Sequence, residues 1–304
     1  MIPSMEDERD RARRHSRYSD PGAWRHRWGV LPAEADIRAI TACARNLVYH
    51  YRADGIEVPV ARRGDIDARW VSRILALDAQ RHPEAVDVPR ERASRVAGCC
   101  RDYALLTVSA LRERGVPART RVGFAGYLGE GFHYDHVVAE FHDGAGWVRA
   151  DAQLEPEWFG FDSCALPRAG LDGFAAAAEV WLAVRAGDAD PRTFGVFPGS
   201  PFAGSAFVFD YVIRDLAHRH GDELLLWDLW GAMRDDAEVP EAEARWLDEL
   251  ARLACDADAG DRGARARLAQ RYREDARLHP GERVVQASPY GGPDVVVELA
   301  GAVP

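Results

Sequence analysis

The sequence predicts an α+β fold, and three observations carry that prediction. A helical run opens at Cys100 and closes at Gly115-Val116-Pro117. Two strands joined by a tight hairpin follow it, between His136 and Asp151. Helical stripes flank this stretch on both sides. The arrangement expected is N-terminal helices, then the Cys100 helix packed on a small antiparallel sheet, then a helical C-terminal region covering one side.

From Cys100 to Arg114 there is no Gly or Pro, and Ala104, Val108 and Leu111 recur at helical spacing beside Leu105. Gly115 and then Pro117 stop the run. A cysteine in a first turn faces unpaired backbone N–H groups and the positive end of the helix dipole. Both favour the thiolate, the reactive form. The same N–H groups can hold the oxyanion of a tetrahedral intermediate. Ala118–Phe124 reads as a strand, and a loop with Gly126, Gly129 and Gly131 follows.

His136–His142 and Trp147–Asp151 are alternating runs about Asp143-Gly144, a hairpin signal. An Asp143-Gly144 loop sets His136 opposite Asp151. A Gly144-Ala145 loop sets Asp151 opposite Val138. In either register His136 and Asp151 share a sheet face as neighbours; a three-residue loop would separate them. A carboxylate beside an imidazole fixes its tautomer and stabilises the imidazolium. Val137, Ala139, Phe141, Val148 and Ala150 lie on the other face; if that face meets the core, a sheet covered on both sides would reconcile the two.

Gly98-x-Cys100-Arg101-Asp102-Tyr103-Ala104, and the helix end Arg112-x-x-Gly115-Val116-Pro117-Ala118-Arg119, resemble the core of the transglutaminase-like superfamily. So do His136-x-Val138-x-Glu140 and Trp147-Val148-x-x-Asp151, in the same order. The resemblance covers about residues 95–155. It implies a papain-like fold with Cys100 as nucleophile, His136 as general base and acid, and Asp151 as the orienting carboxylate. Val138 stands where the family carries Trp, which alters the wall of the acyl pocket. The calcium dependence of part of the superfamily has no visible ligand cluster here.

Plainer readings exist for each residue. A buried cysteine is ordinarily inert core, the default for Cys43, Cys164 and Cys255. Cys99 competes with Cys100, and His133 and His142 compete with His136. His133 falls in a loop and His142 beside the turn, where solvated surface is the default. Asp151 alone would be an ordinary strand end.

Net charge is −10 and the pI about 5.5, which argues against nucleic acid and anionic membrane as partners. All 39 basic residues are arginine. Without lysine there is no Schiff base for pyridoxal phosphate and no P-loop lysine. Five unevenly spaced cysteines suggest free thiols in a reducing compartment. No zinc-ligand spacing is present, so no metal or other cofactor is expected. The charged N-terminus has no apolar signal region, and no apolar run approaches membrane-spanning length. The expected location is the cytoplasm.

Four segments are expected: a disordered or loosely attached terminus (1–20), the catalytic core (21–165), a helical region packed on it (166–280) and a tail (281–304). Pro21–Trp28 is a short aromatic docking segment. Helices are expected over Ala33–Ala53 and over Asp67–His82 with Asp67 as N-cap. Residues 83–97 lead into Cys100. Beyond the core, Asp172 is placed to cap a helix to Ala186, 195–204 is a boundary or lid loop, and Ser205–Leu216 is a buried helix. Residues 240–256 and 261–277 are two further helices, and Val295–Val297 a tail strand. Trp158, in the aromatic run to Asp162, is placed to line a cleft or to pack beneath a loop. Trp227-Asp228, with Trp230, suits either a wall that holds an amine or guanidinium, or a core segment whose Asp pairs with Arg.

The function expected is cysteine-dependent acyl transfer or hydrolysis at an amide or ester, through a thioester acyl-enzyme. The partner is a small-molecule or peptide amide, with water or an amine as acceptor. An amide-forming acyltransferase of secondary metabolism is one alternative. A non-catalytic binding or scaffold protein on the same fold is the other. The oligomeric state is not legible.

Overall fold

The computed structural model describes residues 8–32, 34, 36–156, 160–167, 170–234 and 238–299. The first described residues are not loosely attached. Helix α1 (Glu8–Arg13) ends near the buried Ala12, and Tyr18 is fully buried. Glu8 reaches Arg119 at 2.5 Å and Arg219 at 2.8 Å. The charge that suggests solvent is spent on buried arginines. Gly22–Val30 then forms 3-10 turns, whose Trp28 donates its indole N–H to Ser109 Oγ at 3.2 Å.

Helix α2 (Ile37–Leu47) is capped by Asp36, whose side chain accepts the Ala39 N–H. It stops six residues short of Ala53, because Val48–His50 leave it as strand β1. Residues 60–67 form 3-10 turns, and helix α3 runs Val71–Arg81. Asp67 therefore caps nothing; it accepts the Trp227 indole N–H at 3.0 Å. Strand β2 (Val96–Gly98) pairs in parallel with β1, His50 opposite Gly98, and leads into helix α4 (Cys100–Glu113). Every residue from Cys100 to Arg112 is buried, charged ones included.

The main sheet is antiparallel apart from one short edge. Strands β3 (Ala118–Ala125), β4 (His133–His142), β5 (Trp147–Ala150) and β6 (Phe174–Ala176) lie in the order β5-β4-β3-β6. Asp172 does not cap a helix, since Phe174–Ala176 pair with β3 and helix α5 starts at Ala177. Strand β7 (Phe194–Gly195) adds in parallel to the start of β4. Both faces are covered. Val122, Val137 and Ala139 face the main core with α4 and helix α6 (Ser205–Arg219).

The opposite face carries His136, Val138 and Glu140. Near Glu140 lies a buried charge cluster, in which Arg121 is fully enclosed by Glu140, Asp215 and Asp258 at 3.2, 2.9 and 2.9 Å. Burial alone would raise the Glu140 carboxyl, but Arg119, Arg121 and Arg149 hold it well below the usual range. Helices α7 (Glu241–Asp258) and α8 (Arg262–Glu274) form as expected. Residues 223–227 are irregular. Strand β8 (Asp228–Leu229) joins β9 (Arg283–Gln286) and β10 (Val295–Glu298) in a second antiparallel sheet. No helix among the described residues is long and apolar enough to cross a membrane.

Candidate active site

The site forms where β5 stops and β4 continues. Asp143 N–H bonds the Gly146 carbonyl at 3.1 Å, and Ala139 pairs with Ala150. This is the Gly144-Ala145 register. The Asp143 carboxylate fastens the turn by accepting the N–H groups of Ala145 and Gly146, and Gly144 adopts φ +103°. Asp151 lies one residue past β5, and its Oδ2 is 2.7 Å from His136 Nε2. The pair is sealed, at 2% and 0% exposure.

Tyr127 donates its hydroxyl to the same Oδ2 at 2.7 Å, and Asp151 Oδ1 accepts the Gln153 N–H. Burial pushes the Asp151 carboxyl up, but His136 and these donors outweigh it, so it sits below its ordinary value. The carboxylate stays ionised and keeps a proton on Nε2. That leaves Nδ1 to act as the base. Tyr127 also packs against Phe161, with ring centroids 5.1 Å apart.

Helix α4, which Cys100 opens, packs against β4. The backbone N–H of Val137, next to His136 in the chain, favours the charged form of the Cys100 thiol. The local frame has a clear origin in the sequence. Asp102 Oδ2 accepts the Cys99 N–H at 2.8 Å. A Cβ on Gly98 would fall 2.7 Å from that oxygen, so glycine there lets Asp102 fold back. Arg101, fully buried, bonds Asp102 Oδ1 at 2.8 Å and the carbonyls of Arg69 and Glu223.

The thiol differs from the expectation. Its pKa lies well above the ordinary value, because Cys99 hydrogen-bonds it, burial disfavours charge, and Asp135 faces it; the Val137 N–H opposes them but loses. The neighbouring Cys99 and burial favour the thiol form of Cys100 over the thiolate. Among the described residues no hydrogen bond joins Cys100 to His136.

Asp228 is fully buried and grips Arg69 through both oxygens, at 3.0 and 2.6 Å. Arg69 occupies it as a core partner, which leaves no carboxylate for a ligand. Trp227 packs edge-on against Tyr51, 6.2 Å between centroids. Trp158 lies outside the described residues. His133 stacks on Phe194 at 4.3 Å, and His142 Nδ1 accepts the Gly144 N–H in the turn. Val138 packs with Leu166 and Phe174. All five cysteines are free, and no group of three or more metal-ligating side chains occurs among the described residues. Sequence reasoning missed His50, Tyr127 and Asp135. Asp135, beside His136, accepts the Tyr211 hydroxyl at 2.5 Å.

The α+β core thus carries a thiol at the start of α4 and an acid-oriented imidazole on β4. Residues 68–152 match the family model described as the transglutaminase-like superfamily. No curated protein matches the chain. Among solved structures, it is similar to one from Cytophaga hutchinsonii called a "putative cysteine protease", at 20% identity and a TM-score of 0.34. That likeness covers 57% of this chain and spans about half, 52%, of the other. A likeness so distant carries no functional argument.

Proposed function

We propose that the chain is a cysteine acyl-transfer enzyme acting on an amide or ester, with Cys100 as nucleophile, His136 as base and acid, and Asp151 as the group that orients His136. The observation that carries this reading is the sealed 2.7 Å contact between His136 Nε2 and Asp151 Oδ2, on a strand packed against the helix that Cys100 opens. His136 Nδ1 takes the thiol proton as sulfur attacks the carbonyl carbon. The C=O pair moves to oxygen, and the imidazolium is stabilised by Asp151. Collapse restores the carbonyl and expels the leaving group, which takes the proton from His136 and leaves a thioester. Because the thiol form of Cys100 is favoured, proton transfer belongs to the attack step.

Water as acceptor makes the enzyme an amidase or peptidase; an amine makes it an amide-forming transferase. One observation favours a second reading, an inactive scaffold: Cys100 is only 3% exposed and its thiol is pushed up. Incubation with p-nitrophenyl acetate followed by intact-mass measurement separates the two. Acylation of the wild type but not of Cys100→Ala supports the enzyme. Absence of an adduct on both supports the scaffold.

A further inference from the structure

His50 ends β1 directly opposite Gly98, two residues ahead of Cys100. The Tyr51 N–H bonds the Gly98 carbonyl at 2.9 Å, so this corner is tied to the start of α4. His50 Nδ1 accepts two backbone N–H groups, from Arg52 at 3.1 Å and Ala53 at 3.0 Å. A ring nitrogen that accepts carries no proton, so the neutral imidazole holds its proton on Nε2. That N–H has no partner among the described residues, and it is not among their sealed polar atoms.

The ring also stays neutral. Burial first, then the charges of His136 and Arg52, bring its pKa down to about 3. One imidazole in this region is built to move a proton. The other has a fixed tautomer and a donor that does not titrate in the working range. A neutral imidazole of that kind polarises a carbonyl.

We propose that His50 donates its Nε2–H to the substrate carbonyl oxygen as Cys100 attacks, sharing the developing oxyanion with the Cys100 backbone N–H. As the first residue of α4, Cys100 has no intrahelical acceptor for that N–H. The inference rests on the cysteine reading above. When the C–S bond forms, the C=O π pair becomes a lone pair on oxygen facing both donors. When the leaving group departs, that pair re-forms the carbonyl and the donors relax.

The test compares wild type, His50→Ala and His50→Gln in two reactions. Acylation by p-nitrophenyl acetate passes through an oxyanion; alkylation of Cys100 by iodoacetamide does not. Loss of one oxyanion donor costs on the order of 10²–10³ in rate. His50→Ala should lose about that factor in the rate of p-nitrophenolate release at saturation, with KM little changed and alkylation as in wild type. His50→Gln, whose amide N–H reaches a similar position, should recover most of the rate. Acylation of His50→Ala at the wild-type rate overturns the proposal. So does parallel loss of both reactions without recovery in His50→Gln, which marks a structural role. A wild type that alkylates at Cys100 but never acylates refutes the enzyme reading itself, and the His50 role with it.

Discussion

Replacing Asp151 with Asn keeps the shape of the site and removes its buried charge. Asp151 Oδ2 receives both His136 Nε2 and the Tyr127 hydroxyl at 2.7 Å. In Asp151→Asn the amide can place its NH₂ toward Nε2, which moves the ring proton to Nδ1 and blocks that nitrogen as base. The imidazolium formed during attack would also lose its counter-charge in a site where both partners are nearly solvent-free. Removing one partner of a buried pair costs about 3–5 kcal/mol. At ~1.4 kcal/mol per tenfold, acylation should slow by about 10²–10⁴. The loss belongs in kcat, because the charge appears only on the way to the intermediate. Single-turnover release of p-nitrophenolate measures it, with iodoacetamide alkylation of Cys100 at high pH, where the thiolate forms without a base, as the control for an intact fold. Acylation within threefold of wild type would refute the assignment of His136 and Asp151 as a working pair.

Three further outcomes follow from the same contacts. Cys99→Ala removes the hydrogen bond that heads the causes of the raised Cys100 pKa, so the pH profile of iodoacetamide alkylation should move to lower pH; an unmoved profile contradicts that cause. Gly98→Ala sets a Cβ 2.7 Å from Asp102 Oδ2, so it should lower stability by about 1–3 kcal/mol in urea and blunt Cys100 reactivity. Stability should also fall in two stages on acidification, followed by urea midpoints from pH 8 to 3. His50 and His220 are held near 3, His218 well below its usual value, each chiefly by burial; unfolded histidines bind protons near 6.5 while the folded ones do not, so stability drops below about pH 6.5. Glu8 is raised by burial but drawn down to about 2 by Arg119 and Arg219, so its contribution of about 3 kcal/mol is present above 4.5 and lost between 4.5 and 2. Stability that is flat from pH 7 to 5 would contradict the neutral histidines.

The part of the fold legible in the sequence is the part set by local rules. The Cys100 helix is bounded by Gly115 and Pro117, and the hairpin by Asp143-Gly144, so both can be read directly. The sequence leaves two hairpin registers open, and the Asp143 carboxylate, by holding the N–H groups of Ala145 and Gly146, selects one. Features that depend on distant partners were not legible. Val48–His50 continue the stripe of α2, and only pairing with Val96–Gly98 turns them into a strand. That hid His50. Tyr127 sits in a Gly-rich loop with no pattern of its own. The charged terminus reads as solvated because its partners, Arg119 and Arg219, are over a hundred residues away. The thiol pKa is not legible in the sequence for a related reason: the helix dipole is visible locally, while Asp135 and burial come from packing.

Peptide mapping of the protein after p-nitrophenyl acetate treatment tests the central claim most directly, run on wild type and His136→Ala together. The account predicts a single acetyl group on the peptide bearing Cys99-Cys100, located on Cys100 by fragmentation, and a sharp loss of its rate of formation in His136→Ala at neutral pH. An acetyl group on Cys99 or on a surface residue, or equal rates in the two proteins, would contradict it.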